Sequence, residues 1–355
     1  MPLDEPTWWY GDAQDWRRRL LAPFGALYGQ IAEARFRRRA PYRSRLPVVC
    51  IGNFTAGGTG KTPLSMLVAR LLIEQGEKPV FLTRGFGGHV SGPAWVEDVA
   101  DAAQRYGDEP LLLATVAPTL VARDRRAGIG VIERGQREAS VVVMDDGLQN
   151  SALAKDLCIA VIDGTRGLGN GEVIPAGPLR APIDFQIGLV DAIVVRDPRH
   201  SAGDERGIHA LLRRAFPGPV LAANVVPCGD TGWIGEAPLV AFAGIADPAR
   251  FYGLLERLGG KIACRVSFPD HHAFTRADAE RLLSLAREKG ARLVTTEKDW
   301  VRLARGAPGA GELLAQTRTL GIDMAFDARD LGRLNSLLQT ALAGTQARHR
   351  PPSLP

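Results

Sequence analysis

Residues 53–63, Asn-Phe-Thr-Ala-Gly-Gly-Thr-Gly-Lys-Thr-Pro, lie between an apolar run at 47–52 and a segment of helical character from about Lys61 to Gln75. This order of residue types suits a phosphate-binding loop. Successive backbone N–H groups wrap a polyphosphate, a lysine reaches its β and γ oxygens, and a Ser or Thr hydroxyl joins Mg²⁺. Thr55, Ala56, Gly57, Gly58, Thr59, Gly60, Lys61 and Thr62 are therefore the candidate nucleotide-binding residues. Lys61 is a catalytic candidate as well, Thr62 a metal ligand, and ATP with Mg²⁺ the expected cofactors. Thr55 stands where such loops usually open on glycine, a change the loop tolerates if that residue need not adopt positive φ.

Magnesium needs further oxygen ligands, usually a carboxylate at the end of a neighbouring strand. The apolar run ending in Asp145 and Asp146 supplies two acids where open α/β sheets bind ligands, although a turn or a helix cap accounts for one of them equally well. Asp108 and Glu109 open a helical segment, a place where acids also simply complement the helix dipole. Asp270, His271 and His272 precede a helix cap at Thr275; two adjacent histidines cannot both point into one site. A guanine-reading motif is absent at 295–300, where Lys298 and Asp299 are adjacent. Ala56 replaces the signature lysine of partitioning ATPases.

Positioning these groups requires a parallel sheet. Nearly wholly apolar strands at about 47–52, 79–83, 119–122, 140–145, 157–163 and 192–197 alternate with helices, the pattern of strands covered on both faces. A second, smaller α/β series follows residue 222, its boundary marked by Pro and Gly clusters. We expect an N-terminal kinase domain over 1–222, a C-terminal unit over 223–344 with its last helix ending near Leu342, and a disordered tail over 345–355.

The 355-residue chain carries a net charge of +5, and residues 1–45 hold nine arginines against five acids. They flank an amphipathic segment, about 7–40, in which Leu20, Phe24, Leu27, Tyr28 and Ile31 recur at helical spacing after Trp8, Trp9 and Trp16. Apolar area with arginines at both ends suits an interfacial helix; packing on the protein's own core is the plainer alternative. Basic residues spread over a folded face, as nucleic-acid binding needs, are not seen. The four cysteines stand singly, three of them in apolar runs, which suits buried free thiols rather than zinc or disulfides. No apolar stretch reaches the ~18 residues of a membrane span, and no cleavable leader is recognisable.

Together these stretches resemble the tetraacyldisaccharide 4'-kinase (lipid A 4'-kinase) family. The similarity is carried, in the family's order, by VVCIGNFTAGGTGKTP, LTRGFGG, YGDEP, VVVMDDGLQN, VIDGTRGLGNGEVIPAGPLR, FAGIADPARF, FPDHHAFT and VTTEKDW. The threonine form of the loop is typical of that family. The resemblance implies a kinase moving the γ-phosphoryl of ATP to the 4'-hydroxyl of a tetraacyldisaccharide 1-phosphate at the cytoplasmic face of the inner membrane. It implies a P-loop core joined by a two-stranded linker to a smaller domain, with the site in the cleft between them. It assigns Asp108 as base paired with His271, and Glu109 to the metal together with Asp145 or Asp146. Arg84, Arg125, Asn170 and Arg180 become candidates for substrate contact. Ala181 departs from the family's usual glutamate after that arginine. The expected partners are the acylated lipid and the membrane surface, with no nucleic acid and no obligatory protein partner. Two rival readings are a P-loop ATPase serving as a metal or cofactor chaperone and a kinase of a soluble sugar.

Overall fold

The computed structural model describes residues 5–11, 15–99, 101–198, 208–305 and 310–349. A 3-10 turn (Thr7–Tyr10) and helix α1 (Trp16–Arg37) precede β1 (Val48–Asn53), α2 (Lys61–Glu74), β2 (Pro79–Thr83), β3 (Ala94–Trp95), α3 (Ala102–Tyr106) and α4 (Asp108–Leu113). Next come β4 (Thr119–Val121), α5 (Arg125–Glu133), β5 (Val141–Asp145), β6 (Leu157–Asp163), α6 (Ile183–Ile187), β7 (Ala192–Arg196), α7 (Ile208–Ala215) and β8 (Val220–Cys228). The remaining elements are β9 (Leu239–Ala243), α8 (Pro248–Arg257), β10 (Ile262–Ser267), α9 (Arg276–Lys289), β11 (Arg292–Thr296), α10 (Glu297–Ala304), α11 (Gly311–Gln316), β12 (Thr317–Phe326) and α12 (Ala328–His349).

The strands form one mixed sheet in the order β10-β9-β11-β12-β8-β7-β6-β1-β5-β2-β4-β3. Only β12/β8 and β3/β4 pair antiparallel. β1, β2, β5, β6 and β7 are buried at every position, which explains their uninterrupted apolar sequences. Alternate side chains serve opposite faces: Val48 and Cys50 join the cluster containing Leu82 and Ile129, whereas Val49 and Ile51 pack with Leu64 and Val68 of α2. β1 lies between β5 and β6, so the phosphate loop, the Asp145–Asp146 pair and the end of β6 emerge side by side.

β9, β10 and β11, covered by α8, α9 and α10, have their own clusters around Val240, Phe242, Leu282 and Leu255. The long strands β8 and β12 join this unit to the first, and the division expected after residue 222 falls inside β8. The last helix returns across the boundary: Leu334, Leu338 and Leu342 pack with Val49 and Ile51. α12 also continues to His349, so the start of the tail expected from 345 is helical, and 350–355 lie outside the described residues.

Helix α1 is held by its small residues. Gly25 and Gly29 are buried, and a methyl group on Gly25 would sit 2.6 Å from the Val173 carbonyl oxygen. Its large side chains point outward. Trp16 (68% exposed), Leu20, Phe24 and Leu27 (57%), Tyr28 and Ile31 form a solvent-facing stripe instead of packing on the core. Pro23 lies inside the helix. Among the described residues no helix is long and apolar enough to cross a membrane. All four cysteines are free; Cys50 and Cys158 are buried, Cys264 is half-buried, and Cys228 is exposed at the end of β8.

Candidate active site

The loop after β1 explains its own spelling. Thr55 is buried and forms an antiparallel bridge with Leu179. Around that bridge the Ala56 N–H donates to the Pro178 carbonyl (2.8 Å), the Arg180 N–H to the Phe54 carbonyl (2.9 Å), and the Arg180 Nε to the Thr55 carbonyl (3.1 Å). The entrance is thus extended, strand-like backbone that suits a β-branched residue, and Thr55 is not among the positive-φ residues. Positive φ is needed later, at Gly57 (91°) and Gly60 (99°), where the chain turns into α2. Asn53 braces the curve, its Nδ2 donating to the Thr55 carbonyl at 2.7 Å. The hydroxyl of Thr59 is buried with no hydrogen-bond partner, the state of a loop group awaiting a ligand oxygen.

The paired acids take different roles. Asp146 turns the chain at φ 50° and meets two cations, Arg180 Nη1 at 2.7 Å and Lys61 Nζ at 3.7 Å. Burial opposes its charge, but Lys61 and Arg180 outweigh burial and hold Asp146 well below the ordinary carboxylate range. Asp145 has no such cation against its carboxylate; Oδ1 accepts from the Ser65 hydroxyl of α2 at 2.7 Å. Burial, then the negative charges of Glu109 and Asp146, push Asp145 up to about 7. Arg125 lies beneath it, donating to the Ala122 carbonyl at 2.5 Å and the Asp145 carbonyl at 3.4 Å, and burial pushes its guanidinium down to about 10. A divalent cation fits this neighbourhood, because Asp145 lacks the counter-charge its two acidic neighbours make necessary. Among the described residues no three His, Cys, Asp or Glu side chains are gathered tightly enough to hold a metal alone. That suits Mg²⁺, which takes one or two carboxylates and completes its shell with water and substrate phosphates.

A second cluster spans the two units. Asp108 opens α4 and is 3% exposed. His271 Nδ1 lies 3.2 Å from Asp108 Oδ1, and the other carboxylate oxygen pairs with Arg302 and, at 3.7 Å, with Lys298. Lys298 Nζ is 3.3 Å from Glu109 Oε1. Burial alone would raise Asp108; Lys298, His271 and Arg302 together overcome it and hold the carboxyl well below its usual range. Lys298 shifts the other way: burial disfavours its charge, yet Asp108 and Glu109 keep it above the ordinary lysine value. His271 is set by backbone as well as partner, with φ 58°, its N–H donating to the Gly244 carbonyl (3.1 Å), and its ring edge-on to Phe86.

Lys298 and Arg302 escaped the sequence reading of site residues. They sit four apart on α10, which packs against α4 and is capped by Thr296, whose side chain accepts from the Asp299 N–H. Their one-sided spacing on an amphipathic segment was the available signal; the run was weighed only as a guanine-reading motif and as part of the VTTEKDW similarity. Ser65, one turn into α2, was missed as well. Of the expected substrate contacts, Arg84 is exposed on the loop after β2, and Arg180 joins the phosphate-loop cluster. Arg125 is buried under Asp145. Asn170 braces its own loop, donating to the Ala176 carbonyl (2.9 Å) and accepting from the Glu172 N–H (3.1 Å).

A family model described as "Tetraacyldisaccharide-1-P 4'-kinase" matches residues 17–342. The chain is 46% identical over 305 residues to a tetraacyldisaccharide 4'-kinase of Parvibaculum lavamentivorans, covering 85% of this chain and 87% of that one. It is 42% identical to that of Rhodopseudomonas palustris (strain BisB18), covering 98% of each. The crystal structure of LpxK from Aquifex aeolicus in complex with ATP shares the fold, with a TM-score of 0.70 at 24% identity over 92% of this chain and 99% of that one.

Proposed function

The chain belongs to the tetraacyldisaccharide 4'-kinase family, ATP-dependent kinases of lipid A biosynthesis, and from that premise we propose how its residues perform the transfer. The γ-phosphoryl of ATP moves to the 4'-hydroxyl of a tetraacyldisaccharide 1-phosphate, in the cleft where α4 of the first unit meets α10 and the His271 loop of the second. A sugar hydroxyl is a weak nucleophile, and phosphoryl transfer depends mainly on placing it and neutralising charge. Asp108 is ionised at neutral pH and takes the hydroxyl proton as the O–P bond forms; His271, on its Oδ1, fixes the orientation of the carboxylate and spreads the arriving charge. Lys61 leaves Asp146 for the β and γ oxygens, and Arg180 keeps Asp146 paired meanwhile. Thr62, Asp145, Asp146 and Glu109 are the residues that would hold Mg²⁺, which supplies charge neutralisation on the phosphates when bound.

The single observation that carries this reading is the pairing of buried Asp108 with half-buried His271 at the junction of the two units, beside the acids that flank the phosphate loop. The outward stripe of α1 adds a location. Six large apolar side chains with arginines along the same helix suit docking on an anionic bilayer, here the cytoplasmic face of the inner membrane, where the acyl chains of the substrate lie. The test is direct. Purified protein with ATP, Mg²⁺ and the disaccharide 1-phosphate lipid gives the 4'-phosphorylated product; ATP consumption with no lipid product refutes the assignment.

A further inference from the structure

At Glu5 the N-terminal segment lies against the phosphate loop. Glu5 lies so close to Gly57 that a methyl group there would overlap its carboxylate. One carboxylate oxygen, Oε2, pairs with Arg166 at 3.1 Å; the other, Oε1, is buried with no hydrogen-bond partner. Arg166 stands in the turn after β6, its other nitrogen 3.1 Å from Asp247 at the start of α8 and its guanidinium over the ring of Tyr10. The Tyr10 hydroxyl is raised above its ordinary value, first by burial and then by Glu5 beside it. Trp9 pins the segment, its Nε1 donating to the Pro175 carbonyl (3.3 Å) and its own carbonyl accepting from the Asn170 N–H (2.8 Å). Arg196 packs over Gly60 and, like Arg250, is paired with Asp163.

A carboxylate oxygen buried without a donor is an unfavourable contact for a side chain to make with a glycine-rich loop. An anion held between such a loop and an arginine is, in contrast, the arrangement a nucleotide phosphate requires. We propose that Glu5 stands in for a phosphate oxygen of ATP, and that Arg166 is a nucleotide-binding residue passed from Glu5 to the triphosphate when ATP enters. The proposal rests on the reading of 55–62 as the ATP loop. Its consequence is self-competition: ATP binds with an affinity lowered by the fraction of molecules in which Glu5 covers the loop.

The test is equilibrium ATP binding to the full chain by calorimetry. Glu5→Gln and Glu5→Ala each tighten ATP binding by about threefold to tenfold, because the competing charge is gone. Arg166→Gln weakens it by about tenfold, the scale of one lost charge-assisted contact. In the Arg166→Gln background the gain from Glu5→Gln falls below about twofold, since the carboxylate is no longer held at the loop. Unchanged or weaker ATP binding in both Glu5 variants overturns the proposal, because a purely structural clamp gives that result. Wild-type protein that binds no ATP, or Lys61→Ala protein that binds it as well as wild type, overturns the loop reading instead, and with it this assignment.

Discussion

Asp145 makes the site sensitive to pH in a direction opposite to ordinary acid denaturation. Its carboxyl, ordinarily near 3.8, is pushed to about 7 by burial and by Glu109 and Asp146. As pH rises past 3.8 the unfolded chain releases this proton while the folded chain keeps it, so stability contributed by this group is full below 3.8 and is lost progressively up to about 7. A gap of roughly three pH units, at about 1.36 kcal/mol each, amounts to on the order of 4 kcal/mol. With an unfolding entropy of about 2.1 cal/mol/K per residue, a chain of this length loses about 5 °C of melting temperature. Asp145→Asn keeps the shape and the hydrogen bond from Ser65 but carries no charge. The assay is thermal unfolding of both proteins in EDTA between pH 4.5 and 8. Other acids cancel in the comparison, and the melting temperature of wild type falls relative to the variant by about 5 °C across the range. Curves that stay parallel refute the reasoning, because they mean that Asp145 is ionised throughout. Excess Mg²⁺ should raise the wild-type midpoint more at pH 8 than at pH 5.5, since ion and proton compete for the same oxygens.

Other consequences are simpler to state. Asp108→Asn should lower kcat by about 10²–10⁴, the usual range for a lost acid–base group, with ATP binding by calorimetry intact. His271→Ala should lower kcat while leaving the KM for ATP within about twofold; an equal effect on both would place the histidine at the nucleotide instead. Arg302→Leu removes one of three partners of the Asp108 carboxylate and the ion-pair partner of buried Asp299, and should cost about 3–5 kcal/mol of stability, read as a lower urea midpoint. Adding Asp108→Asn to it should recover part of that loss while activity stays absent, the remainder belonging to Asp299. Leu20→Ser with Phe24→Ser should reduce flotation with anionic vesicles by at least about tenfold without altering the melting temperature, because each residue loses about 1.5–3 kcal/mol of apolar burial in the bilayer.

What the sequence revealed and what it hid divide along a physical line. The phosphate loop, Asp145–Asp146 and the strands around them are legible because each is local: an apolar run covered on both faces, then a turn, then a helix. Thr55 looked anomalous only because its partner, Leu179, is far away in the chain; the bridge between them makes a strand-like entrance. Arg302 could not be found that way, since its pairing with Asp108 spans 194 positions. Lys298 stood in a run weighed as a guanine motif and as a family segment, and neither reading pointed to Asp108. The division after residue 222 was placed by Pro and Gly clusters, which report where the chain turns. They do not report that α12 carries Leu334 and Leu338 back to the first core.

The long-range contacts have a common consequence. Asp108 belongs to the first unit, yet among the described residues the side chains that hold its carboxylate, namely His271, Lys298 and Arg302, come from the second. Arg302 is itself tied to the second unit's backbone, donating to the Gly244 carbonyl (3.1 Å), and His271 hangs from the same carbonyl by its N–H. Gly244 directly follows β9, so one strand exit sets two of the three partners. Separating the units would leave Asp108 with none of these partners and expose it to water, which returns its proton affinity toward that of an ordinary carboxylate. Contact between the units therefore sets the proton affinity and the aim of Asp108, the base in the proposed transfer. On that proposal β8 and β12, the strands joining the units, matter to the transfer as much as the loop over 55–62.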